Sequence, residues 1–418
     1  MGKVRLSVKE RGRLDILKKV EEGSLSRRKG AELLGLSYRQ MLRIVQRHEL
    51  EGPSGVGHRL RDRESNRRID GWRRERILEL YRTRYSDFGP TLAVEYLESE
   101  DGECVGVETL RRWLVGAGLW QARRRGARHR AWRERRAHWG ELVQMDGSEH
   151  DWFEGRRGKA SLMVMIDDAT NWTYAKFFES ETTFAAMTVF REYVGHYGMP
   201  RALYVDRDSI YETTRDSTVD EALRDASPLT QFGRAMGALG VEVILAHSPQ
   251  AKGRVERRHG VFQDRLVKAL RLKTISTLDA ANVYLDAKFL DDLNTRFHAE
   301  AQTPVNLHRP VPRGVRLEHV LCFQEERMVQ NDWTVSWCNR ILQVAAEHQK
   351  LRLARKKIVV SELLDGALRL TYRDHVLAFQ ELPKRPPSPG RKRTAPTNPK
   401  PKYKPPADHA WRTKRPSA

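Results

Sequence analysis

The order of short apolar runs between residues 140 and 272 is the strongest constraint on how this chain can fold. GELVQMDGS, KASLMVMIDDAT and WTYAKFF are rich in Val, Ile, Met and aromatic residues and are broken by Gly, Asp and Asn, the pattern of adjacent antiparallel strands. TTFAAMTVFREYVGHYG then sets Phe184, Met187, Val189, Phe190 and Val194 at helical spacing and stops at Gly198, with Pro200 just beyond. ALYVD reads as a buried strand, residues 228 to 239 as a helix, VEVILA as a strand and residues 253 to 272 as a helix. Three strands, helix, strand, helix, strand, helix predicts one mixed α/β sheet covered by helices.

That order is the one expected of a ribonuclease H-like sheet, and three acids fall at informative places in it. Asp146 is expected at the end of the first strand, Asp206 ends the strand ALYVD, and Glu256 lies in the first turn of the helix after VEVILA. Cutting or exchanging a phosphodiester requires neutralising charge on a pentavalent phosphate, which two divalent ions accomplish when carboxylates hold them. Magnesium is the expected ion, two per site, with manganese as a substitute. Each acid alone has a bland explanation as a turn cap or a helix-dipole partner. Asp151, Asp167 and Asp168 are rival first acids and Glu242 a rival third, although Asp167 and Asp168 fall on the second strand or its turn and Glu242 on a strand.

The flanks supply the rest of the organisation. Lys and Arg total 76 against 55 for Asp and Glu, a formal +21, a balance suited to a polyanion. There is no apolar run long enough to span a bilayer, no secretory signal at the amino terminus, and no C-x-x-C pair among Cys104, Cys322 and Cys338; the expectation is a cytoplasmic, nucleoid-associated bacterial protein with no membrane partner. Residues 1–52 read as a helix-turn-helix: Leu14, Leu17 and Val20 form one stripe, Ala31 lets two helices approach, Gly35 takes the turn, and Met41 and Ile44 bury the second helix. Arg39, Gln40, Arg43 and Arg47 would face DNA. After a polar linker, residues 67–122 read as a second such module, with Arg111 and Arg112 as DNA contacts on its last helix. Residues 123–137 are a basic linker suited to phosphates. The catalytic core is expected over 138–275, a helical connector over 276–310, a small β-barrel over 311–382 and a disordered basic tail over 383–418. Trp333 and Trp337 in the barrel read more readily as core than as stacking platforms.

QMDGSEHDWFEG, LYVDRDSIY and above all HSPQAKGRVERRHG resemble the three catalytic motifs of the integrase and transposase family that carries an Asp, Asp, Glu triad. The third motif is the specific one: Pro249, Lys252, Gly253, Glu256 and Arg257 match a proline-containing loop, a Lys-Gly step and Glu followed by Arg. The likeness is closest to the insertion-sequence transposases grouped as ISNCY and more distant to phage Mu transposase, and covers about residues 138 to 275. It implies that Asp146, Asp206 and Glu256 are the metal ligands of a DNA-cleaving and DNA-joining enzyme acting on element ends and target DNA as a homo-multimer. Lys252, Arg254 and Arg257 are expected beside the reacting DNA. Many family members carry Asn-Gly after the second aspartate, where this chain has Arg207 and Asp208; Asp206 is preferred because it directly follows the apolar run LYV. A regulator with an inactive ribonuclease H-like domain and a nuclease that cuts without joining are the alternatives.

Overall fold

Short polar residues fix where the amino-terminal helices begin. In the computed structural model, which describes residues 7–57, 68–122, 134–216, 228–246 and 253–383, α1 (Val8–Glu21), α2 (Arg27–Leu33) and α3 (Tyr38–Glu51) start after Ser7, Ser26 and Ser37, each of whose hydroxyls accepts from a first-turn N–H. Gln40 closes the cap of α3 by accepting from Ser37 N at 3.2 Å. Gly35 turns between α2 and α3 at φ +61°, and Leu17, Ala31, Met41, Ile44 and Val45 form the core. Arg39, Gln40 and Arg43 are exposed and Arg47 half-buried. The start of the expected linker is folded: Gly52–Val56 is a 3-10 helix with Val56 only 1% exposed. Gly55 is pressed so closely on the Arg47 carbonyl oxygen that a Cβ there would lie 2.3 Å from it.

α4 (Gly71–Arg84), α5 (Pro90–Asp101) and α6 (Val107–Gly116) follow, with Ile77, Tyr81, Leu92, Leu97, Leu110 and Leu114 buried. Trp113, between Leu110 and Leu114 on α6, is half-exposed. Arg111 pairs with Glu108, and Arg112 is exposed. The chain divides into two units, residues 1–127 and 128–418. Residues 123–133 of the basic run, residues 247–252 with Pro249 and Lys252, and the tail from 384 lie outside the described residues.

The second unit is built on a five-stranded mixed sheet of order β3-β2-β1-β4-β5, from β1 (Leu142–His150), β2 (Ala160–Asp167), β3 (Thr173–Phe178), β4 (Ala202–Val205) and β5 (Glu242–Leu245). β1, β2 and β3 pair antiparallel, while β4 joins β1, and β5 joins β4, in parallel. α7 (Thr183–Tyr197) and α8 (Gln231–Leu239) meet through Phe190 and Phe232, and α9 (Gly253–Leu272) runs along β1. α10 (Leu278–Tyr284) passes through a π-helical turn (Leu285–Phe289) into α11 (Leu290–Phe297). This connector covers the edge strand β3: Asn282 accepts from Phe177 N and donates to Phe177 O, at 2.7 and 3.1 Å. Asn294 does the same at Thr173, at 2.8 and 2.9 Å. Two side-chain amides thereby satisfy backbone groups that a bare edge would leave open.

A strap after α11 returns to the sheet through bridges Trp139↔Asn306 and Met199↔Arg309. His308 packs edge-on against Trp139, and its Nε2 lies 2.8 Å from the Tyr193 hydroxyl. Gly140, at φ +78°, leaves it room, since a Cβ there would lie 2.4 Å from His308 Nδ1. Burial lowers the His308 pKa from 6.5 to about 4. The unfolded chain therefore takes up this proton at higher pH than the folded one. The expected result is unchanged stability above pH 6.5 and progressive loss between 6.5 and 4, with a shallower slope over that window in His308→Gln, measured as melting temperature against pH.

The last region contains β6 (Cys322–Met328), β7 (Thr334–Trp337), β8 (Arg340–Val344), β9 (Lys357–Leu363), β10 (Leu368–Tyr372), β11 (His375–Leu377) and β12 (Phe379–Leu382). Where one small barrel was expected, the described strands form two sheets, β11-β10-β9-β6 and β12-β8-β7. They share a core containing Val335, Trp337, Leu342, Val360 and Leu370, and Trp333 packs against it. Among the described residues no helix is long and apolar enough to cross a membrane.

Candidate active site

Side chains of β1 alternate in direction, and Gln144, Asp146 and Ser148 share one face. Each meets α9. Gln144 Oε1 accepts from Val255 N at 3.3 Å, Asp146 Oδ2 lies 3.9 Å from His259 Nδ1, and Gln263 Nε2 donates to Ser148 Oγ at 3.3 Å. Two residues of strand and four of helix advance by similar lengths, about 6.6 and 6 Å, so helix and strand stay in step over this stretch. Asp146 thus lies in the middle of β1 rather than at its end as expected. The strand continues to His150, opposite Ala160, and Trp152 Nε1 holds its far end by donating to the carbonyls of Ser148 and Ala160.

The parallel pairing of β1 and β4 sets Gln144 opposite Tyr204. Asp206 lies just beyond the end of β4, and the same register carried two residues further would set it beside Asp146. Asp206 Oδ1 accepts from Asp208 N at 3.2 Å, while Asp208 Oδ1 accepts from Ile210 N at 3.0 Å; Asp208 is exposed and shapes the loop.

Glu256 is exposed in the first turn of α9. Its direction follows from its neighbours, because an α-helix turns by about 100° per residue. Arg254 and Arg258 reach the β2–β3 turn, through Asp168 and the Asn171 carbonyl. Glu256 therefore leaves the Val255, His259 and Gln263 stripe on the flank opposite Arg254 and Arg258.

Further residues join the site without a signal in the local sequence. A Cβ on Gly147 would lie 2.0 Å from Glu181 Oε2, so the Glu181 carboxylate occupies, on the face of β1 opposite to Asp146, the space that any other residue would fill. Tyr211 is 6% exposed, and its hydroxyl has no hydrogen-bond partner among the described residues. Burial raises its pKa well above 10, and the charges of Glu181, Asp206, Asp146 and Asp208 raise it further, which marks the two catalytic candidates as its neighbours. Of the rival acids, Asp167 and Asp168 are fully buried. Asp167 accepts from Thr170 N and Gly140 N; Asp168 accepts from Gln144, Arg254 and the Arg136 N–H. Both hold the fold. Glu242 begins β5 and is exposed, and Asp151 accepts from Gly155 N. Arg254 is tied to Asp168, Arg257 is exposed, and Lys252 lies outside the described residues. Among the described residues no three His, Cys, Asp or Glu side chains are gathered tightly enough to hold a metal ion.

No protein-family model matches the sequence. A protein of Sinorhizobium fredii named "Putative transposase y4bF" is 36% identical over 382 residues, 91% of this chain and 82% of that protein. The chain belongs to the transposase family. The transposase for insertion sequence IS1202 of Streptococcus pneumoniae is 26% identical over 404 residues, 88% of this chain and 85% of its own length. Among solved structures this transposase is similar to the catalytic core domain of BIV integrase, at 19% identity, 38% of this chain, 99% of that one and a TM-score of 0.26. The two transposases span both units of the chain, so the family membership is not confined to the sheet that carries the acids.

Proposed function

We propose that this transposase binds the ends of its mobile element as double-stranded DNA, hydrolyses the end to free a 3′ hydroxyl, and joins that hydroxyl to a target phosphodiester. The observation that carries the reading is the parallel pairing of β1 with β4, Gln144 opposite Tyr204, which continued by two residues would set Asp206 beside Asp146. Both acids act on the buried Tyr211, and Glu256 of α9 is assigned to the same group. An all-carboxylate donor set fits hard divalent cations such as Mg2+ or Mn2+, and Asp146, Asp206 and Glu256 are the residues that would hold two of them. Bound there, the ions supply Lewis-acid stabilisation and an activated attacking oxygen. Three bare carboxylates repel one another, and bound cations would draw them together. No Ser or Tyr nucleophile is required.

The two amino-terminal helical modules are assigned to end recognition, with Arg39, Arg43 and Arg47 in the first and Arg111 and Arg112 in the second. Gln40 commits its Oε1 to the cap of α3 and is assigned to DNA through its Nε2. Assembly on paired ends as a homo-multimer completes the proposal. The test is a joining assay with the full chain, a duplex carrying a precut element end, and target DNA. Joined product with Mg2+ or Mn2+, abolished by a chelator, is expected. Cutting without joining would make the protein a nuclease; binding with neither would make it a regulator.

A further inference from the structure

The flank of α9 that faces away from Glu256 carries its own constellation. Arg135, Arg254, Arg257 and Arg258, with Asn171 and Phe297, surround a pocket of about 200 Å3. Among the described residues only Arg254 of these four has a carboxylate at ion-pair distance, Asp168 at 2.7 Å. Arg135 Nη1 donates to the Ala169 carbonyl at 3.0 Å and Arg258 Nη2 to the Asn171 carbonyl at 3.1 Å. Arg258 is 5% exposed, and its Nη1 has no hydrogen-bond partner among the described residues. Its guanidinium lies 5.4 Å from the centre of the Phe297 ring, which Arg265 also approaches at 5.0 Å. Burial lowers the Arg258 pKa to about 10. A buried cation with a donor to spare, beside an open pocket, calls for an anion.

We propose that this pocket is a second DNA site, which takes a backbone phosphate on the flank of α9 away from the catalytic acids. The proposal rests on the transposase reading and adds a positioning contact to it. Guanidinium forks match phosphate oxygens in shape as well as charge. DNA fits better than an acidic protein surface because Arg135 belongs to the run from Arg123 to Arg136, which carries eight arginines against one glutamate. Its anchored phosphate is not the one being cut, so the site steadies DNA rather than reacting with it.

The experiment measures binding of the full chain to a short fluorescein-labelled duplex across a salt series. It compares the wild type with the double variant Arg135→Gln/Arg257→Gln and with Val261→Glu, which sets a carboxylate in the pocket lining. Melting temperatures check that each folds, and Arg313→Gln, exposed and outside the pocket, controls for loss of surface charge. Each pocket variant is expected to lower the slope of log affinity against log salt by about one and to weaken binding roughly tenfold, whatever the DNA sequence. Joining of a precut end should fall in parallel and recover at low salt. An unchanged slope overturns the proposal, as does Val261→Glu altering only the oligomeric state by light scattering, which would assign the pocket to an acidic protein surface. If the wild type joins DNA and the slopes agree, the pocket assignment fails and the catalytic reading stands. If the slopes differ but no variant or wild type joins DNA, the reverse holds.

Discussion

Glu256→Gln is expected to abolish cleavage and joining, by at least about a thousandfold, while duplex binding and melting temperature stay at wild-type values. The side chain is exposed in the first turn of α9, so an isosteric amide leaves packing untouched. What changes is charge: an amide oxygen is a much weaker ligand for a hard cation than a carboxylate, and a thousandfold loss corresponds to about 4 kcal/mol of transition-state stabilisation. Single-turnover joining with a precut end separates chemistry from product release. Asp146→Asn and Asp206→Asn should behave alike, whereas Asp208→Asn, on an acid that shapes its own loop, should retain most activity. Joining that survived in Glu256→Gln would remove Glu256 from the ligand set.

Much of this arrangement is legible in the sequence, because period-two and period-3.6 apolar patterns record which face of each segment is buried. β1 to β5, α7, α8 and α9 lie where those patterns set them, and Glu256 is in the helical turn assigned to it. What escaped was long-range. GSEH after Asp146 reads as a strand running out into a loop, yet the strand continues because Trp152 ties Ser148 to Ala160 and because Gly147 makes room for Glu181. Neither contact has a local signature. GPSGV likewise has linker composition, but Val56 finds an apolar surface left open by α1 and α3. Phe297 of the connector has the composition of a core residue, yet it is half-exposed beside Arg258 and Arg265. Spacing gives a residue's face on its own element; it does not give the partner.

Asp168 separates a structural acid from a catalytic one. It is fully buried and joins three parts of the fold: Gln144 on β1 at 2.9 Å, Arg254 in the first turn of α9 at 2.7 Å, and the Arg136 N–H at 2.9 Å. Asp168→Ala leaves the Arg254 guanidinium, whose side chain is only 10% exposed, without this carboxylate, and leaves the Gln144 amide without this acceptor. Breaking one side of a buried ion pair costs about 3–5 kcal/mol, which for a unit of this size lowers the melting temperature by roughly 10 °C. Asp168→Asn should cost less, since an amide oxygen still accepts while the charge is lost. Activity should fall in both variants, because the first turn of α9 that carries Glu256 is held through Arg254, and it should fall together with thermal stability. Glu256→Gln loses activity alone. If Asp168→Ala melted like the wild type and yet failed to cut DNA, the acid would belong with the reacting groups and the assignment of Asp146 would have to be reopened.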